Sequence, residues 1–143
     1  MRTWVTVLAL GAVAGCVTVP QMSAVDLAAH AQQNVFEAQA NLAGRLLIVR
    51  GVVKEATLAT RERREFSASY NGGPPASLTR GEQMPLVVLQ PGSVLCYFEP
   101  ADISEVSQIR AGDAVAFECQ VDSFKPMQQM TVSMLAGCRR STK

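Results

Sequence analysis

The chain has 143 residues, 48% of them hydrophobic and 17% charged, with a formal net charge of +1, one His and four Cys. That length builds one domain rather than two. A charge this close to zero argues against a dedicated nucleic-acid binder, which needs a surplus of Lys and Arg facing phosphates, and a single His removes most His-centred metal and triad schemes.

Arg2 is followed by an apolar run from Trp4 to Gly15. This run is too short to span a bilayer core, which takes roughly 20 apolar residues, and it reads as the basic and apolar regions of an export signal over residues 1–15. It ends in Val13-Ala14-Gly15-Cys16, which resembles a bacterial lipobox. That resemblance implies cleavage before Cys16, lipidation of its thiol and acylation of the new amino group. Residue 17 is Val rather than Asp, which by the same resemblance favours the outer membrane, facing the periplasm, in a Gram-negative cell. Removing residues 1–15 takes Arg2 away and leaves 12 basic against 12 acidic side chains, so no global steering of a polyanion is built in.

Residues 16–23 read as a lipidated tether. From Ala24 to Ala43 the spacing predicts one helix, N-capped by Ser23 with Asp26 three residues on, whose apolar stripe is Ala28, Ala31, Val35, Ala38 and Leu42. From Arg45 the period changes to two, giving a long strand through Lys54 in which Gly51 suggests a bulge or coil. Residues 57–84 are rich in Arg, Ser, Gly and Pro and read as a loop insertion or an extended hairpin. Strands are expected at Pro85–Gln90 and Ser93–Phe98, separated by the Pro91-Gly92 turn. Ile103, Val106 and Ile109 mark a short helix. Two more strands follow, Ala114–Val121 and Met130 to Cys138, joined by a turn over Ser123–Pro126, and the basic tail from Arg139 is expected to fray.

This order, with a helix first and a short helix between the third and fourth of five strands, matches a mainly β, five-stranded OB-fold Greek-key barrel. The chain also resembles the tRNA_anti-like group of OB-fold lipoproteins from about Asp26 to Cys138. The resemblance rests on Asn34-Val35-Phe36-Glu37-Ala38, Leu42-Ala43-Gly44-Arg45 leading into Val49–Val53, Val94–Phe98, Ile109–Asp113 and the closing Val132 to Cys138. The segment from Thr57 to Gln83 departs from the family pattern. The family name reflects fold similarity to anticodon-binding domains and is no evidence that an exported chain meets tRNA.

Export would leave Cys96, Cys119 and Cys138 where disulfides can form. A hairpin centred near Lys125 and Pro126 sets Cys119 opposite Val132 and puts Cys138 out of its reach. The third and fifth strands of an OB barrel are neighbours, so the expected bond is Cys96 to Cys138, with Cys119 a core thiol. No pattern asks for a metal or another cofactor: His30 stands alone on the helix, and the acidic residues are scattered. Cys96 has no base to activate it as a nucleophile, so an enzyme is not expected.

The function expected is a lipid-anchored binding module of the cell envelope, its partner a protein or another envelope component. Arg50, Lys54, Arg61, Arg63, Arg64, Tyr70 and Tyr97 are the candidate contacts, combining cations and aromatic faces near the groove of strands two and three. The alternatives are single-stranded nucleic-acid or oligosaccharide binding in that groove, disfavoured for nucleic acid by the balanced charge, and a purely structural lipoprotein.

Overall fold

The computed structural model describes residues 18–61 and 82–142. It is mainly β, a six-stranded mixed sheet with three α-helices. Strand β1 (Gln21–Ser23) leads into helices α1 (Ala24–Gln33) and α2 (Val35–Leu42), then the long strand β2 (Leu46–Arg61). Strands β3 (Glu82–Leu89) and β4 (Val94–Tyr97) follow. A 3₁₀ turn and α3 (Ile103–Val106) precede β5 (Ala114–Pro126) and β6 (Thr131–Arg140). Neighbouring strands run β2, β3, β4, β6, β5 and back to β2, so they form a ring, with β1 added in parallel along β2. The five predicted strands are all present; β1 is a sixth, formed where the sequence suggested only tether.

The predicted single helix is two helices because of Asn34. Ser23 caps α1 as expected, its Oγ accepting from the Asp26 N–H at 3.0 Å. Asn34 then leaves the helical region (φ −154°, ψ 94°), donates its own N–H to the His30 carbonyl and accepts the Glu37 N–H on Oδ1. An Asn side chain competes in this way with the helix ladder, ending one helix and capping the next. The apolar stripe survives the break: Ala28, Ala31 and Ala38 are buried, while Val35 and Leu42 pack against the core.

Strand β2 has a different partner along each half of its length. Leu46 to Val52 pair with β5, and Val53 to Arg61 pair with β3, so one continuous strand joins two sides of the ring. The register shift lies between Val53 and Glu55, not at Gly51, which pairs regularly with Val115. Gly51 is needed for a different reason: a Cβ there would lie 2.9 Å from the Ala24 Cβ, so the missing side chain lets α1 approach the sheet. Beyond Thr57, β2 and β3 stay paired as two antiparallel arms as far as Arg61 and Glu82, and the rest of the predicted insertion, residues 62–81, lies outside the described residues.

The core contains Leu27, Leu47, Val49, Val53, Val87, Leu89, Val94, Phe98, Phe117, Val121 and Leu135, drawn from α1 and from all five strands of the ring. Strand β6 enters it in the phase opposite to its hydrophobic pattern. Thr131, Ser133 and Leu135 face inward, whereas Val132 and Met134 are half-buried and Met130 is exposed. Ser133 is consequently fully buried, and its Oγ lacks a hydrogen-bond partner. Replacing it should remove a desolvated hydroxyl rather than a bond, so Ser133→Ala is expected to leave stability unchanged or raise it by about 1 kcal/mol. Urea denaturation checks this; a loss above about 1 kcal/mol would mean that the hydroxyl is satisfied.

The hairpin of β5 and β6 corrects the expected disulfide. The chain does not turn at Ser123–Pro126, because Phe124 is buried and Pro126 still pairs with Thr131, which centres the turn between Gln128 and Gln129. Two register shifts then reset the inward phase. One lies between Val121 and Ser123 and brings Phe124 inside; the other falls opposite Glu118 and Gln120, where Gly137 adopts φ +59° and Cys138 follows it into the core. A single extra residue reverses which face the next side chain occupies. Cys138 therefore meets Cys119 across the hairpin, Cα to Cα 4.2 Å, and the two are disulfide-bonded. Cys96 is opposite Leu135 on the parallel β4–β6 pair and remains a free thiol, so the expected Cys96–Cys138 bond is not formed. The strands predicted to be neighbours are neighbours, but the pairing inferred from them is not the one present. The tail is also more ordered than expected, since β6 extends to Arg140 and the Ser141 N–H donates to the Ala116 carbonyl.

Candidate functional site

The structure separates the predicted contact residues. Arg50 and Lys54 are exposed on β2. Arg50 Nε donates to Gln21 Oε1 at 3.1 Å, so β1 engages the guanidinium. Tyr97 is half-buried on β4 and pairs through Leu86 to the level of Thr57 on β2, seven strand residues beyond Arg50. At about 3.4 Å per residue that is roughly 24 Å along the strand, so Arg50 and Tyr97 do not converge. The backbone of Arg61 ends the β2 arm. Arg63, Arg64 and Tyr70, like the lipidation candidate Cys16, lie outside the described residues.

Three other described cations are bonded within the fold. Arg139 bonds Glu118, and Arg140 approaches Glu105 at 3.7 Å. Arg110 caps the turn after α3: its Nη1 donates to the Ser107 and Ile109 carbonyls, and its N–H donates to Asp113 Oδ2. These are scattered pairings and caps, not a continuous basic track of the kind that follows a nucleic-acid backbone.

A groove of about 300 Å³ opens where the β2–β3 arms meet α3. Ala56 and Leu58 form one wall, Pro85 lies between, and Ile103, Val106 and Arg110 form the other. Sequence reasoning missed it because the spacing of Ile103, Val106 and Ile109 marks a short helix without showing which of them the fold leaves exposed. Val106 and Ile109 are buried, but Ile103 is about half exposed (48%), as is Leu58 opposite it (49%). The available signal was Leu58 itself, the one large apolar residue between Thr57 and Arg61.

The sulfurs of Cys96, Cys119 and Cys138 lie within 4.8 Å of one another in the core. With Cys119 and Cys138 bonded, neither has a thiolate to offer a metal, and burial pushes the Cys96 thiol up, so that it stays protonated at neutral pH. In this state the cluster is inert packing.

No helix among the described residues is long and apolar enough to cross a membrane. No protein-family model and no curated protein sequence matches the chain. Among solved structures it is similar to a Klebsiella pneumoniae chain provisionally described as a nucleic acid-binding lipoprotein, with 15% identity, a TM-score of 0.59, and coverage of 87% of this chain and 92% of that one. The likeness is one of fold, along nearly the whole length of both chains.

Proposed function

We propose that this protein is a lipid-anchored, non-catalytic binding module of the cell envelope, built on an OB-type barrel and anchored through Cys16. The groove between the β2–β3 arms and α3 carries this reading, because its walls are mostly apolar and the cation in its lining, Arg110, donates to the Ser107 and Ile109 carbonyls. The disulfide in the core suits an oxidising compartment, and a solved structure of similar fold is described as a lipoprotein. The ligand class proposed is a protein partner that seats an apolar side chain between Leu58 and Ile103. No cofactor or metal takes part. In a Gram-negative cell the anchor would hold the domain at the outer membrane, facing the periplasm.

The test is photocrosslinking from Leu58 and, separately, Ile103 in the lipidated chain on intact cells. One discrete protein adduct common to both positions, and absent when the crosslinker is at Lys54, is the expected result. Adducts that are the same from all three positions, or absent from all, would overturn it. The same barrel architecture can take single strands of nucleic acid, and the neighbour's description makes that the competing reading. Binding of single-stranded DNA at low salt that weakens steeply as salt rises would favour it over a protein partner.

A further inference from the structure

We infer that the end of the domain from which the N-terminal chain emerges is a membrane-contact face that rests in the interface of the leaflet holding the lipid. This rests on the lipid anchor at Cys16 proposed above.

Four observations place the relevant residues together. The chain joins the fold beside the start of β2, where the Pro20 carbonyl accepts from the Ile48 N–H and Gln21 pairs with Ile48. Leu46 begins that strand. Strand β5 is antiparallel to β2, pairs Gln120 with Leu46 and then continues past it to Pro126, so the Met127–Met130 turn projects from the same end. Gln32 and Gln39 hold the helices against this projection, accepting the Thr131 and Phe124 N–H groups at 2.8 and 3.1 Å. Phe36 lies between those two glutamines in sequence, in the first turn of α2.

Phe36, Leu46, Met127 and Met130 are thus on one end, with exposures of 84, 51, 59 and 46%. They are half of the eight large hydrophobic side chains exposed among the described residues. The occupant follows from the tether. Cys16 precedes Pro20 by four residues, which reach about 14 Å at most when fully extended. The polar layer of one leaflet is itself about 5–8 Å deep. A domain held on so short a chain keeps its tethered end against the headgroups, and that end is the one carrying Phe36 and the two methionines. The charges nearby are mixed, with Arg45 and Lys125 against Glu37 and Asp122, all exposed. The contact should accordingly depend on apolar insertion and be indifferent to anionic lipid.

Trp4 is the only Trp of the precursor and precedes Cys16, so a mature chain carries only the Trp introduced into it. Phe36→Trp, Met127→Trp and Leu58→Trp are each made in the full chain, lipidated in cells and reconstituted in neutral phosphatidylcholine vesicles with brominated acyl chains. All three positions are exposed, which favours retention of the fold. Emission from Phe36→Trp and Met127→Trp should be quenched roughly twofold and blue-shifted, insensitive to high salt, with Leu58→Trp left unchanged. If the chain floats with the vesicles and carries its lipid by mass, yet all three emit alike, this inference fails and the anchor stands. A shift at Phe36→Trp that tracks protein concentration rather than lipid would make the face a contact between copies and also overturn it. A chain without lipid by mass overturns the anchor and this inference together.

Discussion

Phe117→Ala is expected to lower the unfolding free energy by about 3–5 kcal/mol, a large share of the stability of a domain this size. Phe117 is fully buried, and its ring meets Phe98 edge to face, centroids 5.0 Å apart at 87°. On β5 it pairs with Val49 of β2 on one side and Arg140 of β6 on the other, so its cavity would open where three strands meet. Phe98→Ala should cost a similar amount. The double variant should fall short of the two losses combined by about 0.5–1.5 kcal/mol, the share belonging to the ring pair itself. Urea denaturation followed by circular dichroism reads all three. A loss below about 2 kcal/mol for Phe117→Ala would mean that the ring is not at the centre of the core.

Where the pattern was regular, the fold was legible. The alternation of Val115, Phe117, Cys119 and Val121 matches the inner face of β5, and that of Val94 and Cys96, continued by Phe98 just beyond the strand, matches the inner face of β4. What escaped were places where a local device resets the period. Asn34 falls inside the single helix predicted from Ala24 to Ala43, although its side chain can end a helix as well as decorate one. Gly51 was given to a bulge when its role is to admit Ala24. In β6 Met130, Val132 and Met134 are the more apolar alternate set, yet Ser133 is the fully buried residue, because hairpin register and not hydrophobicity chose the face. Strand β1 is three residues long and pairs with only one neighbour, too little for any periodicity to reveal. The groove suffered from distance: Leu58 and Ile103 are 45 positions apart, and their juxtaposition depends on where β2 crosses from β5 to β3. Candidate contacts chosen by residue type gathered Arg50, Lys54 and Arg61, which the fold strings along the length of β2, and Tyr97, which it places on β4 far from Arg50.

The disulfide turns on the same question of phase, and its removal carries the second large effect. Cys138→Ala should cost about 3 kcal/mol, since the bond closes a chain segment with a sequence separation of 19 and loops near that length contribute about this much by restricting the unfolded chain. Reductant should bring the wild type down to the level of the variant and leave the variant itself unmoved. Cys96→Ala separates the two pairings. With Cys119 bonded to Cys138, that variant keeps its full sensitivity to reductant and loses only the packing of a buried thiol; with the pairing expected from the shorter hairpin, the sensitivity would vanish. Alkylation gives an independent reading. Burial and a raised pKa shield Cys96 in the native oxidised protein, so no cysteine of the folded domain should react at neutral pH, and denaturation without reductant should expose one, mapping to Cys96. Reaction at Cys119 instead would return the bond to Cys96 and Cys138. That outcome would also require β6 without its shift at Gly137, because only the reversal there turns Cys138 toward β5.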